Sequence, residues 1–436
     1  MVRRYWLETL GCPKNQVDSD KIEGQLAADG YRPAAAAGEA DLVVVNTCAF
    51  IADARRESLE AIDALAERRR SDSRLVVTGC LAERVGPRLR DERPEIDAVA
   101  GFGEPITLGP TKRGGRRLKV RSAAPAVPRL DLLNLSRPPA QAPWAYVKIA
   151  EGCDRRCGYC AIPSFRGPQR SRSPEAVLAE IEALGASEIV LVAQDLASYG
   201  RDGGRGERAL VPLVEAAHRL VPWVRLLYLY PSDLTDELIA AILSTDVAYF
   251  DLSLQHASRP LLRRMRRWGD GERFGARIAE IRRAAPHAAF RSNFIVGYPG
   301  ETEEDHDALL AFVQEAQLDW VGVFAYSEEE GTYSAGLGGR VPEPLVAERM
   351  AELREVCDAI TEQRRRSLVG SRTTVLVDEP GWARSHREAP EIDGLVEVPR
   401  DLAPGRFTEV EITGAAGVDL VAVPIVAAGG APGGAP

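Results

Sequence analysis

The sequence lacks a long apolar segment. None of its hydrophobic runs approaches the roughly 18 uninterrupted apolar residues that a membrane helix requires. The first residues also lack the apolar core of a signal peptide, because Arg3 and Arg4 are followed by the mixed segment YWLE. With 45% hydrophobic and 27% charged residues, the composition is typical of a globular protein. We therefore expect a cytoplasmic protein.

Positive charge is scarce relative to negative charge. The chain has 55 Lys and Arg against 64 Asp and Glu, a formal net charge of −9. This balance argues against non-specific binding of the whole chain to nucleic acid. A basic segment at residues 112–121 could still contact phosphates, although a solvated loop is the simpler interpretation.

The seven cysteines do not indicate a set of disulfide bonds, because the cytoplasm keeps thiols reduced. Metal binding or catalysis is the better interpretation of their number. At 436 residues the chain is also too long for one hydrophobic core, so we expect two or three domains.

The order of strand-like and helix-like segments predicts an α/β chain. Over residues 1–104, short β-branched runs alternate with amphipathic segments, which favours an N-terminal parallel-sheet α/β domain. Residues 144–327 hold six strand candidates, and helical segments follow the first five. They predict a central partial TIM-type (β/α)6 barrel with its site at the carboxyl ends of the strands. After a long helix near residues 342–368, four short strands predict a small all-β barrel.

We assign residues 1–120 to the N-terminal domain, 121–138 to a linker, 139–366 to the partial barrel, 367–427 to the all-β module and 428–436 to a disordered tail.

The segment EGCDRRCGYCAIPSFRG places Cys153, Cys157 and Cys160 on the loop after the first barrel strand, in a C-x3-C-x2-C pattern. Three thiolates in this spacing can bind one iron–sulfur cube, but a closed cluster takes four cysteines, so one iron stays open. A structural zinc site is the alternative, and it needs a further ligand such as histidine. The nearest histidine is His218, far along the chain, which favours the cluster.

This pattern, with Tyr159 just before the last cysteine, resembles the signature of the radical S-adenosylmethionine (SAM) superfamily. The resemblance implies a 4Fe-4S cluster whose open iron is chelated by SAM, and cleavage of SAM to a deoxyadenosyl radical. It also implies contacts with SAM at Tyr159 and at the strand ends near Gln194, Asp195 and Gly297. Ordinary turn chemistry is the alternative at those strand ends.

Cys12, Cys48 and Cys80 each follow a predicted strand of the N-terminal domain. Because the carboxyl ends of parallel strands share one edge of the sheet, we expect the three thiols to converge there. Each could instead be a small buried apolar residue. The occurrence of all three at strand ends favours a second cluster, with Gly11, Asn46 and Gly79 beside them as small or turn-compatible residues.

Two cysteine sets, a radical barrel and a terminal β module resemble the methylthiotransferases over nearly the whole chain. The segments GCPKNQVDS, LSLQHAS and YSEEEGT resemble the branch called RimO. That resemblance implies a transferase that adds a methylthio group to the β-carbon of an aspartate in the twelfth small-subunit ribosomal protein. The terminal module would be a TRAM domain that binds the substrate.

The resemblance further implies two 4Fe-4S clusters and SAM as cofactors. The cluster at Cys12, Cys48 and Cys80 would carry sulfur that one SAM methylates. A second SAM would be cleaved at the other cluster, and the resulting radical would abstract hydrogen from the aspartate. The implied partners are a basic ribosomal protein, possibly within the small ribosomal subunit, and a flavodoxin- or ferredoxin-like electron donor.

Two alternatives remain open at this point. A methylthiotransferase acting on isopentenyl- or threonylcarbamoyl-adenosine in tRNA would share every cysteine, and a non-enzymatic, metal-stabilised module could bind ribosomes or RNA. Residues 368–436 contain five Arg, no Lys and ten acidic residues, a net charge of −5. Such a surface repels phosphate and favours a basic protein substrate, although an acidic face also serves solubility.

Three further features have simpler interpretations. Cys357 occupies a core-like position on the long helix and is predicted to pack there. The arginines of segment 263–267 are interpreted as a solvated helix face, with a contact for ribosomal RNA as the alternative. The acidic run 328–330 is either a solvated turn or a contact for a basic substrate.

Overall fold

The structure is a computed structural model that describes residues 2–106, 130–203 and 208–425. The basic segment 112–121 and the predicted tail at 428–436 lie outside the described residues. In the part that is described, no helix combines the length and the apolar character needed to cross a membrane.

The N-terminal part is a parallel five-stranded sheet with order β2-β1-β3-β4-β5. Its elements are β1 (Arg4–Thr9), α1 (Pro13–Ala28), β2 (Arg32–Pro33), β3 (Leu42–Thr47), α2 (Ala52–Arg68), β4 (Arg74–Gly79), α3 (Cys80–Val85), α4 (Arg88–Glu92) and β5 (Ala98–Val99). All of β3 is buried because its residues alternate between two apolar layers. Val43 packs with Ile62 of α2, and Val44 packs with Ile22 of α1 on the other face.

The central part is the predicted partial barrel. Its elements are β6 (Trp144–Lys148), β7 (Ala150–Glu151), α5 (Ile162–Arg166), β8 (Arg170–Ser171), α6 (Pro174–Leu184), β9 (Glu188–Val192), α7 (Leu210–His218), β10 (Trp223–Leu226), α8 (Asp236–Leu243), β11 (Tyr249–Gln255), α9 (Arg259–Arg264), α10 (Gly271–Ala284), β12 (Ala289–Val296), α11 (Glu303–Ala316), β13 (Trp320–Ala325) and α12 (Glu343–Arg366). Two parallel sheets, β6-β9-β10 and β11-β12-β13, are joined by a parallel bridge between Leu229 and Leu252. The (β/α)6 prediction is thus confirmed.

The C-terminal part is a closed barrel with order β14-β15-β16-β18-β17. Its strands are β14 (Arg372–Glu379), β15 (Trp382–Arg384), β16 (Val396–Glu397), β17 (Phe407–Ala416) and β18 (Asp419–Pro424). The sequence predicted four of them and missed β15, because three residues are too few to show an alternating pattern.

Segment 385–393 of this module closes the amino-terminal end of the partial barrel. The Tyr146 hydroxyl donates a hydrogen bond to the Pro390 carbonyl (2.8 Å), and Trp320 Nε1 donates to the Arg387 carbonyl (2.7 Å). Both donors lie near the start of their strands, so the opposite, carboxyl end of the barrel is left for ligands.

A buried ion network holds the module in this position. Glu188, at the start of β9, accepts from Arg225 Nε (2.7 Å) and from Arg384 Nη1 of β15 (2.6 Å). Asp378 accepts from Arg384 Nε at 2.6 Å. Burial alone would raise the pKa of Glu188, but the two guanidinium groups outweigh it and lower that pKa.

Several acids of the module face its interface with the partial barrel rather than solvent. The pairs are Asp378 with Arg384, Glu388 with Arg365, and Asp393 with Arg291. The net charge of −5 counted from the sequence therefore overstates the acidity of the surface that a substrate would meet.

Candidate functional site

The three N-terminal cysteines lie together at the carboxyl edge of their sheet. Cys12 is the N-cap of α1, Cys48 follows β3, and Cys80 begins α3 directly after β4. The Cys48 thiol interacts electrostatically with those of Cys12 and Cys80, and the Cys80 thiol interacts with that of Cys12. The structure thus brings the predicted set to one point.

Gly11 permits the close approach of the two loops that carry Cys12 and Cys48. It has φ of +96°, and a Cβ at this position would lie 2.7 Å from Cys48 Cβ and 2.9 Å from its Sγ. Any other residue would be strained and would collide with the thiol. Before Pro13, Cys12 has the extended conformation that a residue preceding proline favours (φ −101°, ψ 168°).

Asn15 connects the loops that carry the three thiols. Its Nδ2 donates to the carbonyls of Leu10 (2.8 Å) and Thr47 (3.0 Å), while its Oδ1 accepts from Arg166 (2.8 Å). The Cys80 Sγ lies 3.7 Å from the same oxygen. One amide side chain therefore orders all three turns.

The thiols differ in the balance between burial and charge. Burial raises the pKa of Cys48 to about 12 and also raises that of Cys80. Burial acts in the same direction on Cys12, but the positive charges of Lys14 and Arg166 outweigh it and lower the pKa of that thiol. Cys12 is thus the thiol of this set that its surroundings most favour as a thiolate.

Arg166, at the end of α5, links the barrel to the N-terminal cysteines. Its guanidinium lies 3.0 Å from Cys80 Sγ, 3.1 Å from Asp18 Oδ2 and 3.0 Å from Glu151 Oε1. It also stacks 3.9 Å from the centre of the Phe102 ring. Arg166 has no signal in the sequence, because most of these contacts arise only when the two domains pack together.

We expect Arg166→Leu to lower the free energy of unfolding of the cluster-free protein by about 2–3 kcal/mol, the value of charge-assisted hydrogen bonds that lose their donor. Lys148 remains beside Asp18 and Glu151 and limits the loss. Denaturant unfolding measures the change. Arg170→Leu is the matched control, because its pair with Asp131 is exposed and worth at most about 1 kcal/mol. Equal losses of stability in the two variants would contradict the role of Arg166 in holding the two domains together.

Cys153, Cys157 and Cys160 lie on the loop between β7 and α5, at the carboxyl end of the barrel. The Gly158 N–H anchors this loop by donating to the Met265 carbonyl at 2.7 Å. Burial raises the pKa of Cys153 to about 11 and that of Cys160 to about 12. The Cys157 thiol contributes to the raised pKa of Cys153 and of Cys160, which places the three in one cluster of side chains.

Two arginines enclose this loop. Arg267 Nη1 lies 3.4 Å from Cys157 Sγ, and the Arg267 and Arg155 guanidiniums lie 4.2 and 3.9 Å from the centre of the Tyr230 ring. Arg267 is only 8% exposed. The interpretation of segment 263–267 as a solvated face is therefore wrong for Arg267, whose position beside a thiol has no signal in the helical periodicity.

Buried oxygens without partners lie next to this loop. The Oδ2 of Asp195 accepts from Arg155 Nε at 2.6 Å, but its Oδ1 has no partner. The Oε1 atoms of Gln194 and Gln169 also lack partners. Such orphaned acceptors fit a bound ligand that donates hydrogen bonds, as the methionyl amine of SAM does.

The other two predicted cofactor contacts have structural explanations of their own. Tyr159 packs against the barrel core. Gly297 has φ of +83°, and a Cβ there would lie 2.6 Å from Val346 Cγ2 of α12. Contact of SAM with Tyr159, Gln194, Asp195 or Gly297 stays a prediction.

Two remaining sequence interpretations can be compared with the structure. Cys357 is buried in the barrel core, as predicted. Glu329 is also buried, and it pairs with Arg84 (2.7 Å) and Arg55 of the N-terminal domain. A solvated turn or a substrate contact is therefore wrong for Glu329, which instead ties the two domains together.

The donor set fits clusters better than single ions. Within the described ranges, no three or more His, Cys, Asp or Glu side chains are arranged to hold one metal ion. In a 4Fe-4S cluster each thiolate binds a different iron, so the sulfurs lie farther apart than around one ion. Each set offers three thiols. In the described residues neither set has the histidine that the zinc alternative would need.

Three family models match successive parts of the chain. Residues 4–101 match "Uncharacterized protein family UPF0004", residues 147–313 match the radical SAM superfamily, and residues 369–425 match the TRAM domain. The matches follow the same order as the three structural parts.

Curated relatives match over nearly the full length. The "Ribosomal protein uS12 methylthiotransferase RimO" of Moorella thermoacetica is 44% identical over 418 residues, covering 93% of this chain and 95% of the relative. The proteins of the same name from Anaeromyxobacter sp. and Salinispora arenicola are 40% and 39% identical, covering 97% and 99% of this chain and 93% and 97% of theirs.

A solved structure shares the fold. The radical SAM methyltransferase TsrM from Kitasatospora setae, with tryptophan and a SAM analogue bound, superposes with a TM-score of 0.51 at 16% identity. The match covers 74% of this chain and 73% of that one.

Proposed function

Because the chain belongs to the family of ribosomal protein uS12 methylthiotransferases called RimO, we propose that it adds a methylthio group to the β-carbon of an aspartate in uS12. The observation that carries this proposal is that each three-cysteine set lies at the carboxyl ends of its strands, with Arg166 of the barrel domain on the Cys80 thiol of the N-terminal set. A non-enzymatic module has no use for two such sets. The tRNA-modifying alternative is not favoured, because these full-length relatives are named for uS12.

Cys12, Cys48 and Cys80 would hold one 4Fe-4S cluster, and Cys153, Cys157 and Cys160 the other. With SAM bound, these groups supply the carbon radical and the methylthio sulfur. The protein itself positions these groups and balances their charge. Arg166 donates to Cys80, Arg267 donates to Cys157, and both guanidiniums would offset the negative charge of thiolate-bound clusters.

The domain packing would shield the reacting centre from solvent when substrate is bound. Arg166 and Glu329 tie the N-terminal domain to the barrel mouth, and segment 385–393 covers the opposite end. A substrate aspartate that reaches the mouth would then lie between the two cysteine sets. Such enclosure protects a carbon radical from quenching.

The electron donor would approach from outside the barrel. Cys157 and Cys160 border a shallow cavity whose rim carries the exposed arginines Arg156 and Arg266. A small acidic protein of the flavodoxin or ferredoxin type is complementary to this rim. The TRAM module would contact uS12, either free or within the small ribosomal subunit.

Incubation of the anaerobically reconstituted enzyme with SAM, a reductant and purified uS12 tests the proposed function. We expect a methylthio mass gain on one uS12 peptide, located to an aspartate by tandem mass spectrometry. Parallel incubation with tRNA, followed by nucleoside analysis, is expected to give none. A gain on adenosine and none on uS12 would overturn the proposal.

A further inference from the structure

Lys14 is a buried cation that has no carboxylate partner among the described residues, and its charge acts on the neighbouring Cys12 thiol. Its side chain is 8% exposed, and among the residues that the structure describes no carboxylate lies within ion-pair distance of its Nζ. Other buried cations nearby are paired: Lys148 with Asp18, and Arg166 with Glu151. An unpaired buried ammonium is costly, so its position needs an explanation.

A tyrosine ring holds Lys14 in place. Lys14 Nζ lies 3.3 Å from the centre of the Tyr228 ring, at the carboxyl end of β10. Tyr228 has φ of +65°, an unusual conformation for a bulky residue, and its N–H donates to Asp251 Oδ2 at 2.9 Å. A cation–π contact positions an ammonium but leaves its charge available to an anion.

The direction of Lys14 places this charge between the two domains. The residue lies two positions after Cys12, yet its ammonium reaches a ring of the barrel. Tyr228 also interacts electrostatically with the Cys12 thiol. The side chains of Cys12, Lys14 and Tyr228 therefore lie close together at the carboxyl end of the barrel.

We propose that Lys14 binds the carboxylate of the substrate aspartate. This inference rests on the proposed function. The β-carbon is bonded directly to the carboxyl carbon, so a charge-assisted hydrogen bond from Nζ to the carboxylate holds the β-carbon beside the Cys12 loop. Lys14 thereby selects an acidic side chain over a neutral one, because a neutral substrate would leave the ammonium buried and unpaired.

Binding of two forms of uS12 to the reconstituted enzyme tests this role. The forms carry either the target aspartate or asparagine in its place. We expect the wild type to bind the aspartate form about 10- to 100-fold more tightly, the range for a hydrogen bond between charged groups. Lys14→Met should bind both forms equally, and Lys14→Arg should keep part of the preference. Arg56→Met, which removes an exposed charge on α2, should keep all of it.

Iron content and the electron paramagnetic resonance spectrum of the N-terminal cluster separate substrate binding from a role in the cluster. Both should still show an intact N-terminal cluster in Lys14→Met. Tyr228→Leu provides a second test away from the cysteines: it should weaken the preference severalfold, whereas Tyr228→Phe keeps the ring and should not. An aspartate preference that survives in Lys14→Met would overturn the inference. A wild type that does not modify uS12 would instead refute the proposed function.

Discussion

Replacing Cys12, Cys48 and Cys80 together with alanine is expected to halve the iron of the reconstituted protein, from about eight to about four per chain. Methylthiolation of uS12 should fall below detection, since the site of the sulfur is gone. Cleavage of SAM to deoxyadenosine should persist, because Cys153, Cys157 and Cys160 are intact. Iron and sulfide assays, with chromatography of deoxyadenosine, measure the three quantities.

Cys357→Ala is the matched control for this experiment. That thiol is buried in the barrel core, outside both sets, so the variant should keep all of its iron. The reciprocal triple variant at Cys153, Cys157 and Cys160 should lose SAM cleavage and keep about half of its iron. If the first triple variant retained all its iron, the assignment of an N-terminal cluster would fail.

Glu188→Ala is expected to release the C-terminal module from the barrel and to cost about 3–5 kcal/mol of stability. Its carboxylate lies between Arg225 and Arg384, and its removal leaves two buried guanidiniums with less compensation. Tryptic cleavage after the exposed Arg366, the last residue of α12, should become faster as the module detaches. Glu182→Ala, at an exposed position of α6, should change neither stability nor cleavage.

The pH dependence of stability independently tests the contribution of the Glu188 carboxylate. Its pKa is lowered in the folded protein from the usual 4.5, so the ionised form contributes stability above pH 4.5. That contribution is lost as the pH falls through the lower folded value. The stability difference between wild type and Glu188→Ala should therefore be full at neutral pH and shrink in acid. A difference that grows in acid would contradict the ion network.

The strand ends explain why both cysteine sets could be predicted from the sequence. Cys12, Cys48 and Cys80 each follow a short apolar run, and parallel strands bring their carboxyl ends to one edge. Cys153, Cys157 and Cys160 share one loop after a strand, so their spacing alone identified them. Local patterns were therefore sufficient to place Cys12, Cys48 and Cys80 together. The same reasoning predicted the six-stranded partial barrel, because each βα unit carries its own periodicity.

Contacts between domains could not be predicted in this way. Arg166 and Glu329 lie in segments whose local pattern indicates only a short helix and a turn, and their partners are far along the chain. The charge counted for the C-terminal module likewise includes acids that face the barrel, such as Asp378 and Glu388. Burial of a charged residue depends on what packs against it, which spacing does not encode.

Closure of the barrel by segment 385–393 has a kinetic consequence. Because segment 385–393 covers the amino-terminal end, ligands would reach the partial barrel from its carboxyl end, where uS12 is proposed to bind. A bound uS12 would then block the path of SAM and of deoxyadenosine. Under the proposed function, we therefore expect uS12 to be the last reactant to bind and the first product to leave.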